Sequence, residues 1–140
     1  MRAISLTVAV AITAAGMLAA ITEAAAQTDE SPERSASAVL DRYESTGEFV
    51  DCIDLRDLRF NARHILNDRM ILFEGDSNRA YLNVLDSECP FLEAYGQFRI
   101  DTSAGRLCNT ETITVLQRQA GAGTQCGLGD FEVLAKVKKD

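Results

Sequence analysis

Apolar positions along the chain fall into three regimes. Ile4 to Ile21 is apolar or small and carries no charge, Gln27 to Ser37 holds no large apolar residue, and from Phe49 onward short apolar runs break at turn residues. The third regime has the two-residue period of strands. Arg63-His64-Ile65-Leu66, a turn at Asn67-Asp68 and the run Met70-Ile71-Leu72-Phe73 predict a hairpin, and Gly75 to Asn78 predicts the next turn. Ala80 to Leu85 alternates, with Ala80, Leu82 and Val84 on one face and Tyr81, Asn83 and Leu85 on the other. Phe98 and Ile100 mark a short strand, and Thr112 to Leu116 a β-branched one with Ile113 and Val115 inward. Gln119 to Gln125 reads as a loop, and Phe131, Val133, Ala135 and Val137 as the last strand. Ahead of these, Ala38 to Ser45 predicts a short helix capped by Ser35 or Ser37. Its apolar face is Val39, Leu40 and Tyr43, and Gly47 is its terminator. The expected fold is mostly β: a small, partly closed antiparallel barrel or curled sheet with a short N-terminal helix.

The first regime reads as an export signal. Met1 and Arg2 open it, the charge-free run follows, and Ala24-Ala25-Ala26 forms a small-residue cleavage site. Residues 1–26 are then the signal peptide, 27–48 a flexible leader with the short helix, and 49–140 the β domain. Cleavage leaves 114 of the 140 residues, enough for one modest core. A lipid-anchored product needs a cysteine at the cleavage point. The first cysteine is Cys52, so a periplasmic or secreted product without a transmembrane segment is expected.

Charge and cysteines narrow the picture. With 21 acidic against 14 basic residues the chain carries −7, which disfavours nucleic-acid partners. The cysteines are Cys52, Cys89, Cys108 and Cys126, separated by 36, 18 and 17 residues. Neither the close ligand pairs of a structural zinc site nor a C-x-x-C redox pair occurs, so two disulfides and no metal are expected. Cys52 opens the first strand from Phe49 and Cys126 precedes the last, and in a barrel these strands are neighbours. That favours Cys52–Cys126 with Cys89–Cys108; the sequential pairing Cys52–Cys89 with Cys108–Cys126 is the rival.

The same stretches carry a resemblance. Cys52-Ile53 before Leu55-Arg56-Asp57, Leu66-Asn67-Asp68-Arg69 before Ile71-Leu72-Phe73, Cys89-Pro90 with Leu92, Arg106-Leu107-Cys108 before Thr112 to Val115, and Cys126-Gly127-Leu128-Gly129 with Phe131 form a spaced series. It resembles an uncharacterised family of small exported four-cysteine proteins of Gram-negative bacteria, a domain of unknown function. The resemblance spans Phe49 to Glu132. It implies a shared four-cysteine frame and an envelope location, and it implies no activity.

Catalytic signals are weak. His64 is the one histidine, and its position beside Ile65 fits a structural role better than a general base. No G-x-S-x-G elbow or H-E-x-x-H pair occurs, and Gly121 to Gly123 lacks the Lys-Ser/Thr of a phosphate loop. Asp76-Ser77-Asn78 starts like a calcium loop but has Tyr81 where glycine is required. Asp57 and Asp68 are the one carboxylate pair to weigh for glycan hydrolysis. The charged stretch Asp54 to Arg69 reads first as a solvated face. Its functional reading is a carboxylate-gripping surface formed by Arg56, Arg59, Arg63 and Arg69. No catalytic residue and no cofactor is expected. The leading expectation is a non-catalytic envelope module that binds a protein or surface component. A small secreted inhibitor of a hydrolase, acting through the Gln119–Gln125 loop, is the alternative, and an envelope hydrolase ranks last.

Overall fold

The computed structural model describes residues 32–138 except 103 and 120, so the signal and cleavage site lie outside the described residues. The chain forms α1 (Pro32–Leu40), β1 (Tyr43–Val50), β2 (Cys52–Asp54), a 3-10 turn (Leu55–Asp57), β3 (Leu58–Asn67), β4 (Met70–Gly75) and β5 (Arg79–Val84). These are followed by α2 (Leu92–Tyr95), β6 (Phe98–Ile100), β7 (Arg106–Cys108), β8 (Thr112–Gln117), β9 (Gly121–Gly127) and β10 (Phe131–Lys136). The fold is mostly β and every pairing is antiparallel. No closed barrel forms among the described residues. The strands divide into a five-stranded sheet in the order β1-β10-β5-β4-β3, a three-stranded sheet β6-β8-β9 and a pair β2-β7.

The five-stranded sheet is covered on both faces. Ile71 and Phe73 of β4 face the main core with Leu85, Leu107, Ile113 and Phe131. Leu72, between them, faces a second cluster with Leu66, Ala80 and Leu134. A continuous apolar run is what a strand buried on both sides requires. Val39 and Leu40 of α1 pack on the second cluster, and so does Tyr43. Tyr43 reaches it from β1 rather than from the helix. The helix expected over Ala38 to Ser45 therefore stops at Leu40, and residues 43–48 belong to the sheet instead of the leader. Pairing with β10 overrides the local preference. Gly47, read as a helix stop, is a bulge residue: its φ is +74° and the β1–β10 register shifts between Ser45 and Phe49. The Thr46 hydroxyl donates to the Val133 carbonyl there, at 2.7 Å.

Local turn chemistry explains the hairpins. Ser77 and Asn78 both take positive φ (58° and 62°), and Arg79 N–H bonds the Asp76 carbonyl, which closes a primed turn between β4 and β5. Between β3 and β4, Asn67 pairs with Met70, so the tip is Asp68-Arg69, one residue later than expected. The Asn67 side chain accepts from Arg69 N–H at 2.8 Å. The expected loop over Gln119 to Gln125 is largely strand β9, hydrogen-bonded to β8.

The disulfides follow the third possible connectivity, Cys52–Cys108 and Cys89–Cys126, which overturns both the expected pairing and its rival. The premise about neighbours holds for β1 and β10, but Cys52 lies beyond β1. The chain turns off at Asp51, and β2 pairs with β7 so that Cys52 stands directly opposite Cys108. Asp51 and Gly105 carbonyls accept from Asn109 and Leu55 N–H. These bonds on Asp51 and Leu55, which flank β2, put the hydrogen-bonded pairs at odd-numbered positions and leave Cys52 and Cys108 in the close, non-hydrogen-bonded register with Cα atoms 4.0 Å apart. Cys89 follows β5 and Cys126 lies on β9, so this bridge ties the five-stranded sheet to the three-stranded one. In the chain-entropy model each bridge contributes about 4 kcal/mol.

Another tie is polar. Asn83 is fully buried; its amide donates to the Gly129 carbonyl at 2.6 Å and accepts from Gly129 N–H at 3.1 Å. Gly129 is required at this approach, because a Cβ would lie 2.1 Å from the Val84 carbonyl oxygen.

Candidate functional site: the cleft between two strand edges

β3 ends the five-stranded sheet and β6 ends the three-stranded one, and no ladder joins them. Alternation along β3 aims Arg63 toward the core side, directly opposite Phe73. Being at the edge, its guanidinium reaches past the apolar residues and lies over the Phe98 ring of β6, 5.3 Å from the centroid. Phe98 in turn meets Phe73 edge-on, with centroids 6.3 Å apart.

The Arg63–Phe98 contact divides the cleft along β3. Toward the hairpin tip is a groove of about 680 Å³. Four consecutive edge residues, Arg63 to Leu66, form one wall, Glu93, Gln97 and Leu116 belong to the other, and Ala36 and Val39 of α1 close one side. Among the described residues, no backbone group of Arg63 to Leu66 bonds outside the β3–β4 ladder. The outward-pointing N–H and C=O groups of an edge strand are therefore available in the groove. Toward the start of β3 is a smaller, mostly apolar cavity of about 220 Å³, with Leu55, Leu58, Ala62, Phe73 and Ile100 around it and Arg59 and Arg63 also lining it.

The four expected arginines thus separate. Arg59 and Arg63 share the cleft. Arg59 has a long contact of 3.9 Å to exposed Asp76, and Arg63 has no carboxylate within 4.0 Å among the described residues. Arg56 is committed elsewhere: it forks onto Asp54 at 2.9 and 3.2 Å, and this bond draws the Asp54 carboxyl down to about 2. Arg69, at the far hairpin tip, donates to the Leu85 carbonyl. Arg99 is likewise held by Asp101 at 2.7 Å, and that bond, with one from Thr114, lowers the Asp101 pKa.

His64 fits its structural reading. On the α1 face it meets Glu74 at 3.2 Å, and Glu74 also accepts from Arg42 at 3.1 Å. Burial, with the Glu74 charge next, raises the Tyr43 phenol above its usual value. Asp57 and Asp68 stand at opposite ends of β3. Ten strand residues separate them, and the register sets the two ends of β3, Leu58 and Asn67, opposite Gly75 and Met70 of β4, roughly 17 Å apart at about 3.3 Å per residue and well beyond the roughly 5–9.5 Å of glycosidase carboxylates. A separate polar depression of about 480 Å³ beside β2 sets Glu48, Asp54 and Asp57 against Arg79 and Arg106. Residues of both charges thus line it. Among the described residues, no three His, Cys, Asp or Glu side chains are arranged to hold a metal.

The sequence contained one unread signal for the cleft. A charged residue on the apolar side of a strand, as Arg63 is beside Ile65 and opposite Phe73, marks a sheet edge. Phe98 as its partner had no local signal. Comparison with protein-family models, curated proteins and solved structures finds no match.

Proposed function

We propose that the protein is a non-catalytic interaction module of the cell envelope which holds an extended segment of a partner protein along β3. On this reading the three sheets are a partly closed barrel, and the β3–β6 cleft is its opening. The observation that carries the proposal is the conjunction at Arg63 to Leu66: free edge backbone in a groove, beside a guanidinium that lacks a carboxylate partner among the described residues. A strand added at an edge gains main-chain hydrogen bonds, and side-chain contacts supply selectivity. Arg63 suits a carboxylate on that strand. Export to the envelope accords with two disulfides and no free cysteine among the described residues. So does the resemblance to small exported four-cysteine proteins. Among the described residues no helix is long and apolar enough to cross a membrane. The inhibitor reading loses its expected loop to β9, and the hydrolase reading loses its carboxylate pair to distance.

The test uses the oxidised protein and a displayed library of extended peptides. Retained peptides are expected to slow amide exchange in residues 63–66. Arg63→Glu is expected to weaken them about tenfold or more, as loss of a charge-assisted bond of about 1.5–3 kcal/mol implies. Retained peptides that protect β1 instead, or that bind Arg63→Glu equally well, sink the proposal.

A further inference from the structure

Resting on that reading of the cleft, we infer that the small cavity at the start of β3 takes the C-terminal residue of the docked segment: an apolar side chain inside, its α-carboxylate between Arg59 and Arg63. Three observations lead there. The first is size. A cavity of about 150 Å³ is enough for benzene, so about 220 Å³ accommodates one aromatic or branched side chain but not a long ligand. The second is polarity. Buried Phe73 and partly buried Leu55, Leu58 and Ile100 surround the cavity, so the inserted group must be apolar. The two charged residues lining it are both arginines in a chain of net charge −7. They place an anion next to the apolar group, and a C-terminal residue carries both on one Cα.

The third observation is order along the strand. The groove lies at residues 63–66 and the cavity at residues 58–63, with Arg63 lining both. A segment lying in the groove and passing the Arg63–Phe98 contact reaches the cavity beside Leu55, at the 3-10 turn. With its C-terminus at the start of β3, that segment runs opposite to β3. The added pair is then antiparallel, like the strand pairs among the described residues. A free small carboxylic acid has the same chemistry as this residue, but nothing would carry it along the groove.

The cavity is tested apart from the groove with N-acetyl-Ala-Phe as the free acid, as its amide, and extended by Gly-Gly. Binding is read from the NMR shift of the Ile100 methyl groups in the oxidised protein. The acid is expected to shift them saturably, with the amide and the extended peptide at least tenfold weaker. Phenylacetate should bind more weakly than the dipeptide acid; equal binding would mean that the source is a free acid and not a chain end. Ala62→Phe, which fills the cavity, is expected to abolish the shift while the thermal midpoint stays within a few degrees. Arg59→Gln keeps the cavity intact and should weaken the acid alone. Amide and acid binding equally, or no saturable shift with either, overturns the inference. Slowed exchange at residues 63–66 by library peptides irrespective of their ends would leave the groove reading standing without it.

Discussion

Where β2 meets β7, three residue pairs and a disulfide join the strands. Where β3 faces β6, a guanidinium over a ring spans two edges that share no ladder. The first seam has its backbone polar groups paired with each other and its close register locked by Cys52–Cys108. The second keeps backbone groups and two arginines without comparable commitments. On the proposed reading, rigidity and binding fall to different seams. The covalent and polar ties hold the sheets in place, so the open edge is not required to.

The comparison is broken most directly at the closed seam. Replacing Cys52 and Cys108 together by serine is expected to lower unfolding free energy by about 4 kcal/mol, measured by denaturant unfolding of the otherwise oxidised protein. Opening Cys89–Cys126 should cost nearly as much, because separations of 56 and 37 residues differ little in logarithm.

A smaller loss is expected at the polar tie. Asn83→Ala leaves the buried Gly129 N–H and C=O without their partners, and should cost about 2–3 kcal/mol by the same measurement. A loss below about 1 kcal/mol would mean that the β9–β10 connection relaxes away from β5 and that Asn83 is no clamp.

The smallest effect sharpens the contrast. Arg63→Ala is expected to lower stability by only about 0.5–1 kcal/mol, the range of an exposed cation over a ring. A loss as large as that of Asn83→Ala would make the β3–β6 contact a structural seam like the other and remove the contrast on which the cleft reading rests.

Local patterns in the chain account for much of the strand inventory. The run Met70 to Phe73, the alternation of Ala80 to Leu85 and the β-branched Thr112 to Leu116 each became a strand, because side-chain period and turn residues act over a few neighbours. β7 and α2, three and four residues long, are not read from the sequence at all, whereas the equally short β6 shows through the alternation of Phe98 and Ile100. Tyr43 to Ser45 shows the limit in the other direction: a helical face of Val39, Leu40 and Tyr43 is genuine as a cluster, yet Tyr43 joins it from a strand.

The amino-acid sequence by itself determined a four-cysteine, mostly β, acidic chain and the residue types that border the cleft. Only the tertiary structure decided which cysteines bond and which arginines meet. Both depend on where β2 leaves the path of β1 and on which strands remain edges. Those are outcomes of long-range pairing, in which the ladder opposite Asp51 and Asp54 and the ring under Arg63 come from distant parts of the chain. Arg56, Arg59, Arg63 and Arg69 are indistinguishable as letters. The carboxylate beside Arg56, the carbonyl beside Arg69 and the open cavity beside Arg59 and Arg63 are what separate them.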